Sequence, residues 1–237
     1  MINQLKELRL GGMAQCLERL IETRGTDALS FTDGLGLLLQ AERDLRKENR
    51  NTRLIKNARF RYNASVEELV FDAATGMDKT KVTQLATCEY IGQGIPVIIT
   101  GATGTGKSYL GTALGYQACL FGYKVAYFGM QKLFEKIDMA RIESILPKFF
   151  DKMAQTDLLI IDDFGMKTLQ GQQLLDFLEL IEDRHARKAT IMISQLPLAQ
   201  WYDMMEANTT AADAILDRIV HTAQRFELKG ESKRKKY

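Results

Sequence analysis

Residues 101–108 carry the pattern with the clearest chemical meaning in this sequence. They match G-x-x-x-x-G-K-[ST] and lie between an apolar run at 95–100 and a helix-like segment that begins at 107, as this phosphate-binding pattern requires. Glycines let the backbone approach phosphates closely, and N–H groups at a helix N-terminus favour negative charge. The residues that we predict to bind a nucleotide here are Gly101, Ala102, Thr103, Gly104, Thr105, Gly106, Lys107, Ser108 and Tyr109.

Two acidic residues form the second half of the predicted site. Asp162 and Asp163 end the apolar run LLIIDD, which begins at residue 158. We expect the Ser108 hydroxyl and Asp162 to hold Mg²⁺, and Lys107 to contact the β- and γ-phosphates. Asp163 would polarise the attacking water. Alone, Asp162 could cap a helix and the glycine loop could arise by chance, but both patterns occur in order and in context. Together they predict a site for a nucleoside triphosphate.

Composition excludes several other kinds of chemistry and location. The 237 residues include two histidines, and three cysteines (Cys16, Cys88 and Cys119) without CxxC spacing. Clustered-histidine chemistry, a disulfide framework and most structural zinc sites are therefore not expected. No window approaches the ~18 consecutive apolar residues of a membrane span, and the first residues lack the features of a signal peptide. We expect a cytoplasmic protein without a membrane partner.

Apolar runs and helical segments alternate from residue 95 onward. The helical segments include a long one at 133–154. The run at 95–100 is rich in β-branched residues, the next three lie at 124–129, 157–162 and 189–194, and 225–228 is a candidate for a short fifth strand. Continuous apolar strands separated by helices indicate a parallel sheet covered on both faces. The predicted fold class is therefore α/β, with the parallel sheet of a P-loop NTPase.

The first 65 residues differ from the rest in pattern and in charge. Residues 1–62 have helical periodicity, with a predicted break at Gly11-Gly12 and a second helix that Ser30 or Thr32 would cap. Residues 1–65 carry 12 Lys/Arg against 8 Asp/Glu, residues 66–228 carry 15 against 21, and the last nine carry 5 against 1. We therefore expect a small, basic, all-helical domain at 1–65 and an ATPase domain with a basic tail at 66–237.

One predicted helix of the N-terminal region carries a stripe of cations. At 100° per residue, its basic residues Arg43, Arg46, Lys47, Arg50, Arg53 and Arg61 fall within about 120° of the circumference. Such a run is commonly a solvated charged face, but its position in a positive segment favours contacts with the phosphates of double-stranded DNA, largely independent of sequence. The basic tail at 233–236 is either a second phosphate contact or a disordered end.

Several segments together resemble those of one known family, the IstB-like ATPases. They are GATGTGKSYLGTALG, LLIIDDFG, ISQLP with the following Trp201, DAILDRIVHTAQRFELKGESKRK and, near the N-terminus, LRLGGMAQCLERL. These AAA+ proteins are encoded beside the transposase of certain insertion sequences and are relatives of the bacterial helicase loaders. The resemblance implies an AAA+ ATPase that uses ATP and Mg²⁺, binds DNA, forms a homo-oligomer with nucleotide at subunit interfaces, and recruits or activates a cognate transposase.

The resemblance also implies roles for residues outside the two motifs. Ser194 and Gln195, at the tip of the fourth strand, fall where AAA+ proteins sense the γ-phosphate, although they could merely end the strand. Asp163 stands where many AAA+ enzymes have a longer glutamate, so hydrolysis could be slow or depend on a partner. The chain ends about ten residues after the last predicted strand, which leaves little or no room for the usual helical lid.

An arginine before the last strand matches the AAA+ arginine finger. Arg218 would reach the γ-phosphate bound by a neighbouring subunit, because a planar fork of donors stabilises charge on the transferring phosphoryl group. An ion pair with Asp213 or Asp217 on its own helix is the alternative. Arg225 is a second finger candidate, and Arg234 is a candidate second sensor.

Three alternative functions are compatible with the same motifs. A replicative-helicase loader would share the ATPase core and differ in its partner. A small-molecule P-loop kinase would need an acceptor pocket and a lid with arginines, neither of which is apparent at 120–156. An ATP-binding adaptor that hardly hydrolyses ATP would fit the Asp162-Asp163 pair.

Overall fold

The structure is a computed structural model that describes residues 1–25, 29–72, 75–205 and 208–230. The chain divides into two compact units, an N-terminal unit of Met1–Arg53 and a core unit of Leu54–Tyr237. This division lies before the boundary at residue 65 that we expected from the sequence. Leu54, Ile55 and Ala58 pack into the hydrophobic core of the second unit. Within the described ranges, no helix is both long and apolar enough to cross a bilayer.

The helices and strands are numbered in chain order. They are α1 (Ile2–Glu7), α2 (Gly11–Glu22), α3 (Phe31–Ala58), α4 (Lys79–Ala86), α5 (Glu89–Gly92), β1 (Val97–Gly101), α6 (Lys107–Leu120), β2 (Val125–Gly129), α7 (Met130–Ile142), α8 (Leu146–Ala154), β3 (Leu158–Phe164), α9 (Gln172–Arg184), β4 (Ala189–Ser194), α10 (Thr209–Val220) and β5 (Gln224–Leu228). Two short 3₁₀ helices precede α10, at Leu198–Gln200 and Asp203–Met205.

The N-terminal unit is helical, and α2 packs closely on α3. A Cβ at Gly12 would lie 2.5 Å from the Ala41 carbonyl oxygen, so no larger residue fits at this contact without a shift of the backbone. The Glu42 carboxylate accepts hydrogen bonds from the N–H groups of Gly12 and Met13 at 2.7 and 3.2 Å. It thereby satisfies two of the donors that the start of a helix leaves unpaired.

The local predictions for these helices are only partly confirmed. The break expected at Gly11-Gly12 lies just before these glycines, where Arg9 has a φ of 59°, and the glycines themselves begin α2. The Ser30 hydroxyl oxygen caps α3, because it accepts the Asp33 N–H at 3.2 Å. Thr32 lies inside the helix and is not its cap.

The core unit contains a five-stranded sheet in the order β2-β3-β4-β1-β5. All four strand pairs are parallel. Each strand expected from the sequence is present, with ends shifted by at most two residues. The predicted α/β class with a parallel sheet is confirmed, and so is the helical N-terminal region.

Hydrophobic side chains cover both faces of the sheet. Ile99 and Ile160 belong to the cluster that includes α6 on one face, whereas Ile98 and Leu159 belong to the cluster that includes α7, α9 and α10 on the other. Successive side chains of a strand point to opposite faces. A strand covered on both faces is therefore a continuous apolar run, which is why these strands could be recognised in the sequence.

The long helical segment predicted at 133–154 is helical, but it consists of two helices rather than one. α7 ends at Ile142, and Ser144 then has a φ of 57°, a left-handed conformation that interrupts a helix. Pro147 lies in the first turn of α8. Proline has no N–H to donate to a preceding turn, and its ring clashes with that turn, so α7 could not continue through this point.

Candidate nucleotide site

Parallel strand order brings the predicted motifs to one edge of the sheet. β1 pairs with β4, and β4 pairs with β3, so the carboxyl ends of these strands lie side by side. A cleft of about 840 Å³ opens there, where open α/β sheets bind ligands. The predicted nucleotide-site residues that line it are Thr103, Gly104, Gly106, Lys107, Ser108, Tyr109, Asp162, Asp163, Ser194 and Gln195.

Three other predicted residues form the frame of the phosphate loop. Gly101 has a φ of 145°, and a Cβ there would lie 2.2 Å from the Leu228 carbonyl oxygen, so this glycine lets the loop leave β1 against β5. Thr105 is buried, and its hydroxyl donates to the Ala102 carbonyl oxygen at 2.8 Å. These contacts hold the loop in shape, whereas its other residues face the cleft.

The start of α6 is suited to an anion. Gly106 is the N-cap with a φ of 98°, and it has no side chain that could cap the helix. The first-turn N–H groups and the positive end of the helix dipole therefore favour a bound phosphate. Lys107 is buried beside them, with its Nζ 2.7 Å from the Ala102 carbonyl oxygen, and the Ser108 side chain lines the same cleft.

Asp162 is held in a fixed orientation at the end of β3. It is 1% exposed. The Tyr127 hydroxyl donates to its Oδ2, and the Asp163 N–H donates to its Oδ1 at 2.8 Å. Burial, and then the negative charge of Asp162, raise the pKa of Tyr127 well above its usual range, so the phenol remains a donor. Tyr127 is a site residue that the motifs did not reveal, because it contacts Asp162 only through the pairing of β2 with β3.

Asp163 occupies an unusual backbone position. Its φ is 59°, and the register of β3 against β4 shifts between Ile161 and Phe164. Such a bulge redirects a side chain, and positive φ in a residue other than glycine is commonly retained at functional sites. Here the carboxylate lies 3.2 Å from Nη1 of Arg61 at the cleft.

The prediction that Arg61 continues the cationic stripe of the helix is wrong. α3 ends at Ala58, and Arg59 has a φ of 57°, which turns the chain away from the helical path. The helical phase counted from Arg43 therefore does not apply to Arg61, which instead lines the cleft. The remaining basic residues of the stripe are exposed on α3 in the N-terminal unit, namely Arg43, Arg46, Lys47, Arg50 and Arg53.

The two candidate sensor residues have different surroundings. The Ser194 hydroxyl donates to the Phe164 carbonyl oxygen at 2.7 Å and accepts the Leu196 N–H at 3.0 Å, so it joins the ends of β3 and β4. The Gln195 side-chain oxygen accepts the Thr103 hydroxyl at 2.5 Å, which places this side chain against the phosphate loop. Gln195 is thus better placed than Ser194 to contact a terminal phosphate.

Arg218 lies on α10 and contacts α9. Its Nη2 is 2.7 Å from Glu182 Oε1, and its Nη1 donates to the Ala214 carbonyl oxygen at 2.8 Å. Its ion-pair partner is therefore on another helix, and the alternative of Asp213 or Asp217 is wrong, because the side chain turns toward α9. Arg225 donates to the Val220 carbonyl oxygen at 2.8 Å. Arg234 and the tail at 233–236 lie outside the described residues.

The cleft is also lined by residues that the sequence motifs did not include. Leu69, Val70 and Met77 add an apolar wall, and the Tyr109 hydroxyl donates to Glu68 Oε2 at 2.8 Å. Glu68, Leu69, Val70 and Met77 lie between α3 and α4 in a segment without regular periodicity, so the sequence offered no signal for them. An apolar wall beside a phosphate loop suits a planar base.

The sheet order and the cleft with its phosphate loop are those of a P-loop nucleotide-binding protein. The chain belongs to the IstB-like ATP binding protein family, whose model matches residues 3–237. It is 35% identical to y4pL of Sinorhizobium fredii, a protein assigned as an insertion sequence ATP-binding protein, over 99% of this chain and 95% of that one. An IS21 ATP-binding protein of Pseudomonas aeruginosa is 27% identical, with 98% and 87% covered.

Solved structures with the same fold include a helicase loader and a nucleotide-bound DnaA. The DnaC helicase loader has a TM-score of 0.59 at 17% identity, over 71% of this chain and 98% of that one. AMPPCP-bound DnaA from Aquifex aeolicus has a TM-score of 0.59 at 17% identity, over 73% and 53%. These likenesses establish the fold of the core unit. Family membership favours an ATPase over the alternative of a small-molecule kinase.

Proposed function

We propose that this protein is an ATP-dependent, DNA-binding regulator of transposition that assembles on duplex DNA and recruits or activates the transposase of an insertion sequence. The observation that carries the proposal is a cleft lined by the phosphate loop and the acidic pair, in a chain that belongs to the IstB-like family along almost its whole length. The relatives assigned to insertion sequences support the transposition context. A cytoplasmic location stays a prediction.

The cleft residues fit a magnesium ion that is shared with the phosphates. The Ser108 hydroxyl and the buried Asp162 carboxylate are hard oxygen donors on the same cleft. Among the residues that the structure describes, no group of three or more His, Cys, Asp or Glu side chains could enclose a metal. This pattern suits Mg²⁺, which commonly takes one or two protein ligands together with waters and phosphate oxygens. When bound, the ion neutralises charge on the phosphates.

The remaining side chains have roles that follow from their charge and position. Lys107 leaves the Ala102 carbonyl and contacts the β- and γ-phosphates. Its ammonium group forms a stronger hydrogen bond with a charged phosphate oxygen than with a neutral carbonyl oxygen. A water held between Asp163 and Gln195 attacks the γ-phosphorus, and the bond to the β–γ bridging oxygen breaks with its electron pair on ADP. The proton of the water passes to the Asp163 carboxylate or to the released phosphate.

Assembly of several copies would complete the site. Arg218 is paired with Glu182 and does not belong to the lining of the described cleft of its own chain. If it acts on a phosphate, it therefore acts on the nucleotide of a neighbouring copy. ATP bound between two copies favours the assembled state, because a ligand stabilises whichever state it binds more tightly. Hydrolysis would then release the assembly.

The cationic stripe of α3, at residues 43–53 of the N-terminal unit, is the proposed DNA contact, and the core unit Leu54–Tyr237 is the proposed ATPase domain. We predict that Arg43→Ala, Arg50→Ala and Arg53→Ala together weaken binding to duplex DNA about 10- to 100-fold and reduce the slope of log affinity against log salt by about two to three. Fluorescence anisotropy with a labelled duplex over a series of salt concentrations measures both quantities.

Arg46 is kept in this variant for a structural reason. Its Nε lies 2.7 Å from Glu42, the carboxylate that holds the start of α2. A matched control removes three exposed lysines of the core unit, Lys132, Lys136 and Lys148, and therefore the same charge. An equal loss of affinity for duplex DNA in the two triple variants would contradict a specific role of the stripe.

The choice of partner is tested with the full chain. We predict that wild-type protein with ATP and duplex DNA sediments as a large assembly and retains the transposase encoded beside it in a pull-down, whereas ADP supports neither. Retention of a replicative helicase in place of the transposase would overturn the proposal in favour of a helicase loader. ATP binding without measurable turnover, with or without DNA, would favour the adaptor.

A further inference from the structure

Arg61 belongs to the cleft, although no motif includes it. Its guanidinium lies 3.2 Å from the Asp163 carboxylate and lines the same cleft as Lys107 and Ser108. Its Cζ lies 5.5 Å from the centroid of the Tyr62 ring, a separation at which a cation is attracted to an aromatic face. The guanidinium is thus held at the cleft, between the Asp163 carboxylate and the Tyr62 ring.

The backbone that carries Arg61 is anchored on the sheet. The Phe60 ring packs edge-on to Tyr127, with centroids 6.3 Å apart. A Cβ at Gly115 would lie 2.8 Å from Phe60 Cε1, so α6 has a notch that accepts this ring. Tyr127 is also the donor to Asp162. One aromatic contact therefore fixes Arg61 relative to both carboxylates of the site.

We propose that Arg61 is a ligand of the terminal phosphate in its own subunit, and that it exchanges Asp163 for that phosphate when ATP binds. This role rests on the proposed ATPase function and adds a residue to it. It differs from the role of Arg218, which would act on a neighbouring copy.

The exchange follows from the charges involved. Arg61 and Asp163 form one contact, and both side chains are at least one-third exposed, so the pair is weak. A terminal phosphate carries more charge than a carboxylate and accepts two parallel bonds from a guanidinium fork. ADP lacks this phosphate and leaves Arg61 on Asp163. ATP would therefore free the Asp163 carboxylate to hold the attacking water.

The test compares two nucleotides on the full-length protein. Isothermal titration calorimetry measures binding of ADP and of the non-hydrolysable analogue AMPPCP, each with Mg²⁺, to wild type, Arg61→Ala, Arg61→Lys and Arg187→Ala. We expect Arg61→Ala to weaken AMPPCP about tenfold or more and to change ADP by less than about twofold. The AMPPCP affinity of Arg61→Lys should lie between those of wild type and Arg61→Ala, because lysine keeps the positive charge but lacks the planar guanidinium fork. Arg187 is exposed and does not line the cleft, so Arg187→Ala should behave as wild type.

Each outcome separates this inference from the proposed function. Unchanged ADP binding shows that the cleft of the variant is folded. Equal loss of both nucleotides in Arg61→Ala, or loss of neither, would overturn the role of Arg61 while leaving the ATPase proposal in place. Failure of wild type to bind either nucleotide would overturn the proposed function itself.

Discussion

Lys107→Ala is expected to weaken ATP binding about 100-fold, because it removes the charged donor to two phosphates in a low-dielectric cleft. Lys107 is buried, and its Nζ donates to the Ala102 carbonyl oxygen at 2.7 Å. It is therefore already directed into the phosphate loop, and little reorganisation is needed to bind a phosphate. Without bound ATP the variant should not assemble on DNA. Calorimetry with AMPPCP measures the first effect, and sedimentation with duplex DNA measures the second.

The control for this variant is Lys148→Ala, which removes an exposed ammonium group from α8. It should bind nucleotide and assemble as wild type does. Because Lys107 also contacts its own loop, a thermal unfolding curve of each variant establishes that the fold is retained. Wild-type nucleotide affinity in Lys107→Ala would show that this loop does not bind a triphosphate.

Asp163→Asn should lower kcat for ATP hydrolysis about 100-fold or more while nucleotide binding is retained. The amide keeps the size of the side chain and the backbone position in the β3 bulge, but it cannot accept a proton. A steady-state assay of phosphate release, with and without DNA, gives kcat. Equilibrium titration with AMPPCP gives the affinity separately.

Asp151→Asn is the matched control, because Asp151 is an exposed carboxylate on α8 outside the cleft. Its turnover should equal that of wild type. If Asp163→Asn hydrolyses ATP at the wild-type rate, the attacking water is held by another group, and the role of Asp163 in the proposed mechanism is wrong.

Much of the core unit was predictable because its signals are local. The loop at 101–108 is recognisable from its glycines and its lysine. Their spacing is fixed because all of them lie in one short loop between a strand and a helix. Asp162 could be placed because it directly follows the apolar residues 158–161 of β3, which are buried in the sheet. Residues that act together and lie close in the sequence form a recognisable motif. A strand that is buried on both faces is likewise recognisable as a continuous apolar run.

Partners distant in sequence could not be predicted in the same way. The hydroxyl of Tyr127 meets Asp162 only because β2 lies beside β3. Arg218 meets Glu182 rather than an aspartate on its own helix, because α10 packs on α9. A long charged side chain can reach many positions, and the choice among them depends on which elements are neighbours in space.

The strands, the phosphate loop, the acidic pair and the family could all be recognised from residues that lie near one another along the chain. The contact of Arg61 with Asp163, away from the helical stripe, and the contact of Gln195 rather than Ser194 with the phosphate loop became visible in the folded chain. The physical reason is the same in both cases. A left-handed residue at Arg59 and the hydrogen bonds of Ser194 to neighbouring backbone set these directions, and neither is encoded by periodicity.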